Sequence, residues 1–196
     1  PKRRVGYGIN GESSLDEQTW YYESPICLIH GFRGWGYGEL LPAIQRLGVR
    51  IYGHGSPDGL IGHREVKEKL PKTLAMVHLK SSDAPGYALY EAMAAGCPII
   101  CTRKLIWKCR MLDLLIPEKT CLVFDKETHD GFTAEDLIEC EREVRDHLER
   151  LRNPKENQRI GMGGYTRLME VMWNEGKHED VLSLSSFMGR HFGNEE

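Results

Sequence analysis

The chain has 196 residues, enough for one domain with a sizeable core and too few for two ordinary domains. Apolar residues make up 40% and charged residues 28%, the balance of a soluble globular protein. A net charge of −3 is too weak a field for a general nucleic-acid binder or a basic membrane-surface protein, and no apolar run approaches the ~20 residues that span a bilayer.

The basic start Pro1-Lys2-Arg3-Arg4 is followed by no apolar signal-peptide core, and residues 1–25 read as a linker or edge segment. Short apolar runs then alternate with helical patterns. The runs are Ile26–His30, Val49–Tyr52, Ala75–Leu79, Ile99–Cys101 and Cys121–Phe124. Most are apolar throughout rather than alternating, as in strands buried on both faces of a parallel sheet. Helices are expected at Glu39–Leu47, ending at Gly48, and at Arg64–Thr73, bent or interrupted by Pro71. A third is expected at Gly86–Ala95, closing at Gly96 with Pro98 beyond. Strand and helix in alternation predict a doubly wound α/β core over residues 26–132.

Residues 133–196 read as C-terminal helices. Thr133–Asp136 has the pattern of a helix N-terminus, and Leu137, Val144, Leu148 and Leu151 form one apolar stripe at helical spacing. The Glu/Arg run Glu139–Arg152 reads as a solvated face laced with i,i+4 pairs. Asn153-Pro154 breaks this helix. A second is expected from about Pro154 to Trp173, and a short one at Glu179–Met188.

The six cysteines are Cys27, Cys97, Cys101, Cys109, Cys121 and Cys140. None is spaced C-x-x-C and no paired histidines accompany them, so no zinc site is expected. Four of them lie in or beside apolar runs, as small core residues do, and a reducing, cytoplasmic compartment is the expectation.

The segment Lys80–Thr102 carries the most chemistry. A strand ends near Lys80, Ser82 or Asp83 can cap the following helix, and Pro85 suits its first turn. Gly86 lets another group approach the backbone. The free N–H groups of such a helix start, with its partial positive charge, attract an anion. It lies at the carboxyl end of a strand, where open α/β sheets bind ligands. Glu91, one to two turns in, can accept two hydrogen bonds from a vicinal diol such as a ribose. An anion cradle beside a diol acceptor describes a nucleotide diphosphate pocket. The bland readings are a solvated Glu91 and an Asp83 that only caps.

The stretch from Asp83 to Pro98, with Gly86 and Glu91-Ala-Met-Ala-Ala-Gly96-Cys-Pro98, resembles the acidic-x7-Glu motif of retaining GT-B glycosyltransferases. That group includes glycogen synthases, sucrose synthases and bacterial mannosyltransferases. The resemblance extends more weakly over residues 26 to 125. It implies the Rossmann-like C-terminal domain of that fold, a parallel sheet flanked by helices. It also implies that Glu91 holds the nucleotide ribose, that Asp83 contacts the donor sugar, and that the N–H groups of Gly86, Tyr87 and Ala88 face the diphosphate. The loop Gly31–Gly36 resembles one that supplies an Arg and a Lys to the diphosphate. Here Arg33 is its only strong cation, with Trp35 or Tyr37 near the place of the Lys.

Other departures are Asp rather than Glu at position 83, and Thr102-Arg-Lys-Leu where many members carry a glycine pair. His54, in a Gly-x-Gly turn, is a further candidate contact to the donor. The spacing Gly53, Gly55, Gly59 misses the dinucleotide fingerprint by one residue. Lys80, His30 and His78 read as strand or strand-end residues. Side chains near Leu60–Arg64 are candidates to meet the base.

The expectation is a donor domain that binds a nucleotide-diphosphate sugar and transfers the sugar, with retention, to an acceptor hydroxyl, needing no metal and no cofactor. An N-terminal acceptor domain is not visible. It is expected before Pro1 of a longer chain, or on a partner. The alternative is a non-catalytic module with a degraded donor pocket that binds a nucleotide sugar or a protein, supported by the absent Lys and by Asp83. A third reading, a sugar-nucleotide epimerase of related fold, places different acids around the ribose helix.

Overall fold

The computed structural model describes residues 22–29, 38–79, 87–108, 113–124 and 133–174. Five strands form one parallel sheet: β1 (Ile26–Leu28), β2 (Arg50–Tyr52), β3 (Met76–His78), β4 (Ile99–Thr102) and β5 (Leu122–Phe124). Their order is β2-β1-β3-β4-β5. Register runs Cys27 to Ile51, Ile26 to Met76, His78 to Cys101 and Cys101 to Val123. Every strand falls within, or one residue beyond, an apolar run seen in the sequence. The reason is burial on both faces, complete along β3 and β4.

Among the described residues six α-helices cover the sheet: α1 (Leu41–Arg46, entered through a 3-10 turn at Gly38–Leu40), α2 (His63–Lys69), α3 (Tyr87–Ala94), α4 (Arg103–Lys108), α5 (Ala134–Leu151) and α6 (Pro154–Asn174). Alternate strand residues sort the core into two layers. Cys27, Ile51, Val77, Ile100, Leu122 and Phe124 face α1 and α5. Ile26, Met76, Ile99, Cys101 and Cys121 face α2, α3 and α4. Five cysteines are free thiols buried in these layers. Burial pushes the Cys27 thiol up to about 12, the behaviour of an inert core residue. Cys109 lies outside the described residues.

Helix ends follow local chemistry. α2 stops at Lys69 rather than continuing to Thr73, because Pro71 cannot supply the next N–H. α3 closes at Gly96, which has a φ of 66°. Thr133 and Asp136 form a reciprocal capping box at the start of α5. Helix α4 was not anticipated. Thr102, at the end of β4, is fully buried and its hydroxyl accepts from the Leu105 N–H at 3.1 Å, so the segment that departs from the glycine pair starts a helix.

The Glu/Arg run is partly what its pattern suggests, with Arg145 on Glu141 at 2.9 Å four residues back. It also makes longer-range contacts. Arg150 bridges Glu118 at 2.6 Å and Glu156 at 2.5 Å, tying α5 to the turn before β5 and to α6. The short helix expected at Glu179–Met188 lies outside the described residues. Among the described residues, no helix is long and apolar enough to cross a membrane.

Candidate functional site

Helices α1 and α3, which follow β1 and β3, cover opposite faces of the sheet, and these two strands, whose onward connections part in this way, are neighbours. The carboxyl end between such strands is the topological switch point of a doubly wound sheet, where ligands bind. The segments that leave β1 and β3 there carry Arg33 and Lys80–Gly86. Arg33, Lys80, Asp83 and Gly86 lie outside the described residues, and His30 does as well.

The turn after β2 is firmly built at the same edge. Gly53 N–H donates to Gly59 O at 2.9 Å, and the Ser56 hydroxyl donates to Gly53 O at 2.8 Å. Asp58 accepts from the Ile51 N–H at 2.6 Å and from Arg50 at 3.0 Å. A Cβ at position 53 would stand 2.0 Å from Ile29 O, so only glycine lets this turn lie against the end of β1. His54 is exposed within the turn. Leu60 is 75% exposed just before α2 begins.

Helices α2 and α3 pack on the same face, their Val66, Leu70, Leu89, Ala92 and Met93 sharing one apolar cluster. Each begins at the carboxyl edge, because each follows a parallel strand. Tyr87, Ala88 and Glu91 fall on one side of α3 by their spacing. Tyr87 is 58% exposed, Ala88 half-buried and Glu91 only 5% exposed. Helical side chains lean toward the helix start. Glu91 therefore reaches back to the edge, where its Oε1 lies 3.8 Å from His63 Nδ1, a ring that is itself 61% exposed.

That separation is too long for a hydrogen bond yet short enough for charges to interact. The Glu91 Oε1 is buried with no hydrogen-bond partner among the described residues. Burial raises its pKa above the ordinary 4.5, against the opposing pull of His63 and then Lys67. Lys67 stands one turn after His63 on α2, so the two share a side of that helix. An acceptor oxygen buried without a donor is rare in native proteins and calls for a ligand or a function. A hydroxyl-bearing ligand entering at the exposed His63 would supply the missing donor.

Of the residues singled out in the sequence, the structure thus brings Tyr87, Ala88 and Glu91 onto one face of α3, with His54 at the same edge of the sheet. Sequence reasoning had only bracketed His63 within Leu60–Arg64 and had passed over Lys67. The available signal was their i,i+4 spacing at a helix start behind a glycine turn, and it has no meaning until α2 is laid beside α3. Among the described residues no group of three or more His, Cys, Asp or Glu is arranged to hold a metal ion.

No protein-family model matches the chain, and no curated protein matches it. Solved structures do. The C-terminal domain of the glycosyl transferase group 1 family protein LpcC from Francisella tularensis is 13% identical, with a TM-score of 0.53 over 76% of this chain and 86% of that one. Sucrose-phosphate synthase from Thermosynechococcus elongatus is 16% identical, with a TM-score of 0.55 over 83% of this chain and 46% of that one. TarM is 13% identical, with a TM-score of 0.59 over 92% of this chain and 38% of that one. At these identities the likeness is one of fold. The chain has the Rossmann-like architecture of GT-B C-terminal domains, and it spans less than half the length of the latter two proteins.

Proposed function

We propose that the chain is the donor-binding domain of a glycosyltransferase, taking a nucleotide-diphosphate sugar at the carboxyl edge of the sheet between α2 and α3. The observation that carries this reading is the buried Glu91 Oε1, which has no hydrogen-bond partner among the described residues, on a helix that begins at the carboxyl edge of a fold shared with a glycosyl transferase domain. In the proposed complex Glu91 accepts hydrogen bonds from the ribose diol. The N–H groups of Gly86, Tyr87 and Ala88 and the Arg33 guanidinium face the diphosphate, and Asp83 orients sugar hydroxyls.

As the bond from sugar to phosphate breaks, the sugar gains oxocarbenium character and negative charge collects on the departing diphosphate. Fixed N–H donors, the start of α3 and a cation oppose that charge without reorganising, each donor contributing roughly 3–4 kcal/mol where it is well aimed. The acceptor hydroxyl takes the sugar on a second domain, N-terminal in the same polypeptide or on a partner. By the motif, transfer retains the anomeric configuration and uses no metal.

The second reading is binding without transfer. It is favoured by Asp83 and by Arg33 as the only strong cation of its loop. Both readings require donor binding, so the deciding experiment is a thermal-shift panel of UDP-, GDP- and ADP-sugars on the wild type and Glu91→Ala. At a hundredfold excess over Kd a ligand adds about 2.7 kcal/mol to the folded state. Stabilisation by one donor that disappears in Glu91→Ala is expected. No response from the wild type to any donor removes both of these readings and favours a module whose degraded pocket has given way to binding a protein. Sugar transfer by the full assembly then separates enzyme from binding module.

A further inference from the structure

Glu91 and His63 face each other across the seam between α3 and α2. The distance from Oε1 to Nδ1 is 3.8 Å, and Oε1 accepts from nothing among the described residues. Hydrogen bonds of about 2.7 and 2.9 Å to one shared oxygen span that gap when they meet at roughly 85°. In hydrogen-bonding capacity a hydroxyl group matches both partners in one orientation. Its O–H donates a hydrogen bond to the carboxylate, and its oxygen accepts one from the imidazole N–H. A carbonyl has no proton for Glu91, and a protonated amine has no lone pair for His63. The neighbouring carboxylate favours the tautomer with its proton on Nδ1, the form the clamp needs.

We propose that His63 is a donor-binding residue, with its Nδ1–H donating to the same ribose hydroxyl whose proton Glu91 accepts. This inference rests on the reading of Glu91 as the ribose acceptor and adds a second residue, on a different helix, to that contact. It also defines the substrate class. The clamp selects ribonucleoside diphosphates over those lacking the clamped hydroxyl. Without that hydroxyl, the buried oxygen is left again without a donor, and such losses are large where a site is built to hydrogen-bond its ligand.

The test uses whichever of UDP, GDP and ADP binds the wild type most tightly, together with its 2′-deoxy and 3′-deoxy forms. Titration calorimetry is run on wild type, His63→Ala, His63→Asn and Glu91→Ala. His63→Ala should weaken the ribonucleotide about tenfold or more. For one of the two deoxy forms, wild type and His63→Ala should bind alike, because the hydroxyl that couples them is gone. His63→Asn should recover much of the loss, since its Nδ2 stands the same number of bonds from Cα as the imidazole Nδ1.

Unchanged ribonucleotide affinity in His63→Ala overturns the clamp. So does an equal loss for the ribonucleotide and both deoxy forms. In either case abolition by Glu91→Ala leaves the ribose reading standing. Failure of all three ribonucleotides to bind the wild type removes that reading and the clamp with it.

Discussion

At the scale of single residues, the proposed role of Glu91 sets stability against binding. A buried polar atom without a partner costs about 1–3 kcal/mol. Glu91→Leu, similar in volume and free of that cost, should therefore melt higher than the wild type without ligand. For a chain of this size each kcal/mol moves Tm by roughly 2–4 °C. The same variant should lose its response to nucleotide. Residues that lower stability while serving a site commonly behave this way. The effect carries a pH signature. The folded-state pKa of Glu91 lies above its ordinary 4.5, so its contribution to stability is fully present below 4.5 and is lost as pH rises through the raised value. Melting both variants across about pH 4 to 8 should show the advantage of Glu91→Leu growing with pH. Donor binding by the wild type should run the other way and fail on the acid side, because only the carboxylate accepts from two hydroxyls. A constant difference between the variants would mean that Glu91 finds a donor in the free protein.

At the scale of elements, α6 is the strap that joins the two faces of the sheet. Its Ile160 packs in the layer of α1 and α5, and its Leu168 in the layer of α3. Asn157 is fully buried and donates to Leu74 O at 2.8 Å and to Leu151 O at 3.1 Å. A Cβ at Gly161 would stand 2.0 Å from Gly96 O, and one at Gly163 would stand 2.1 Å from Lys119 O. Backbone meets backbone at both points, so neither side can give way. Gly161→Ala gains about 1 kcal/mol in helix propensity. The overpacking should outweigh that gain, for a net loss of about 1–3 kcal/mol in denaturant unfolding. Equal or greater stability in the variant would show that α6 can draw back from α3. A salt-bridge cluster anchors the same helix at its start. Hydrogen bonds from Arg159 and then Arg150 hold the Glu156 carboxyl down at about 2. Its stabilisation is present above the ordinary 4.5 and is lost as pH falls toward 2. Glu156→Gln should accordingly flatten the acid limb of the stability curve and leave its alkaline limb unchanged.

At the scale of the whole molecule, the fold is that of GT-B C-terminal domains, and the proposed function pairs it with a second domain. One parallel sheet presents its carboxyl edge, and the helices that begin there bring Glu91 beside His63 and Lys67. The proposed donor complex uses backbone dipoles and side-chain charge in place of a metal. Donor affinity measured by calorimetry should therefore be the same with and without EDTA. A chelator-dependent loss would assign the diphosphate to a metal and remove Arg33 and the start of α3 from its proposed binding.

Much of this was legible in one dimension. Strands buried on both faces are continuous apolar runs, and helix ends are written in Pro71, Gly96 and the Thr133–Asp136 box, because burial on both faces and capping are local events. The place of Glu91, one turn into a helix that follows a strand, was legible for the same reason, since both elements belong to one contiguous stretch of sequence. Helix α4 was not, because Thr102 caps it from inside a strand. The tight seat of α6 on Gly96 was not, because it joins positions 65 residues apart in number. Nor were the company of His63 and Lys67 and the burial of Oε1. Those arise only when α2 crosses one face of the sheet to lie beside α3, and the dielectric, the partners and the exposure of a side chain are properties of what packs around it.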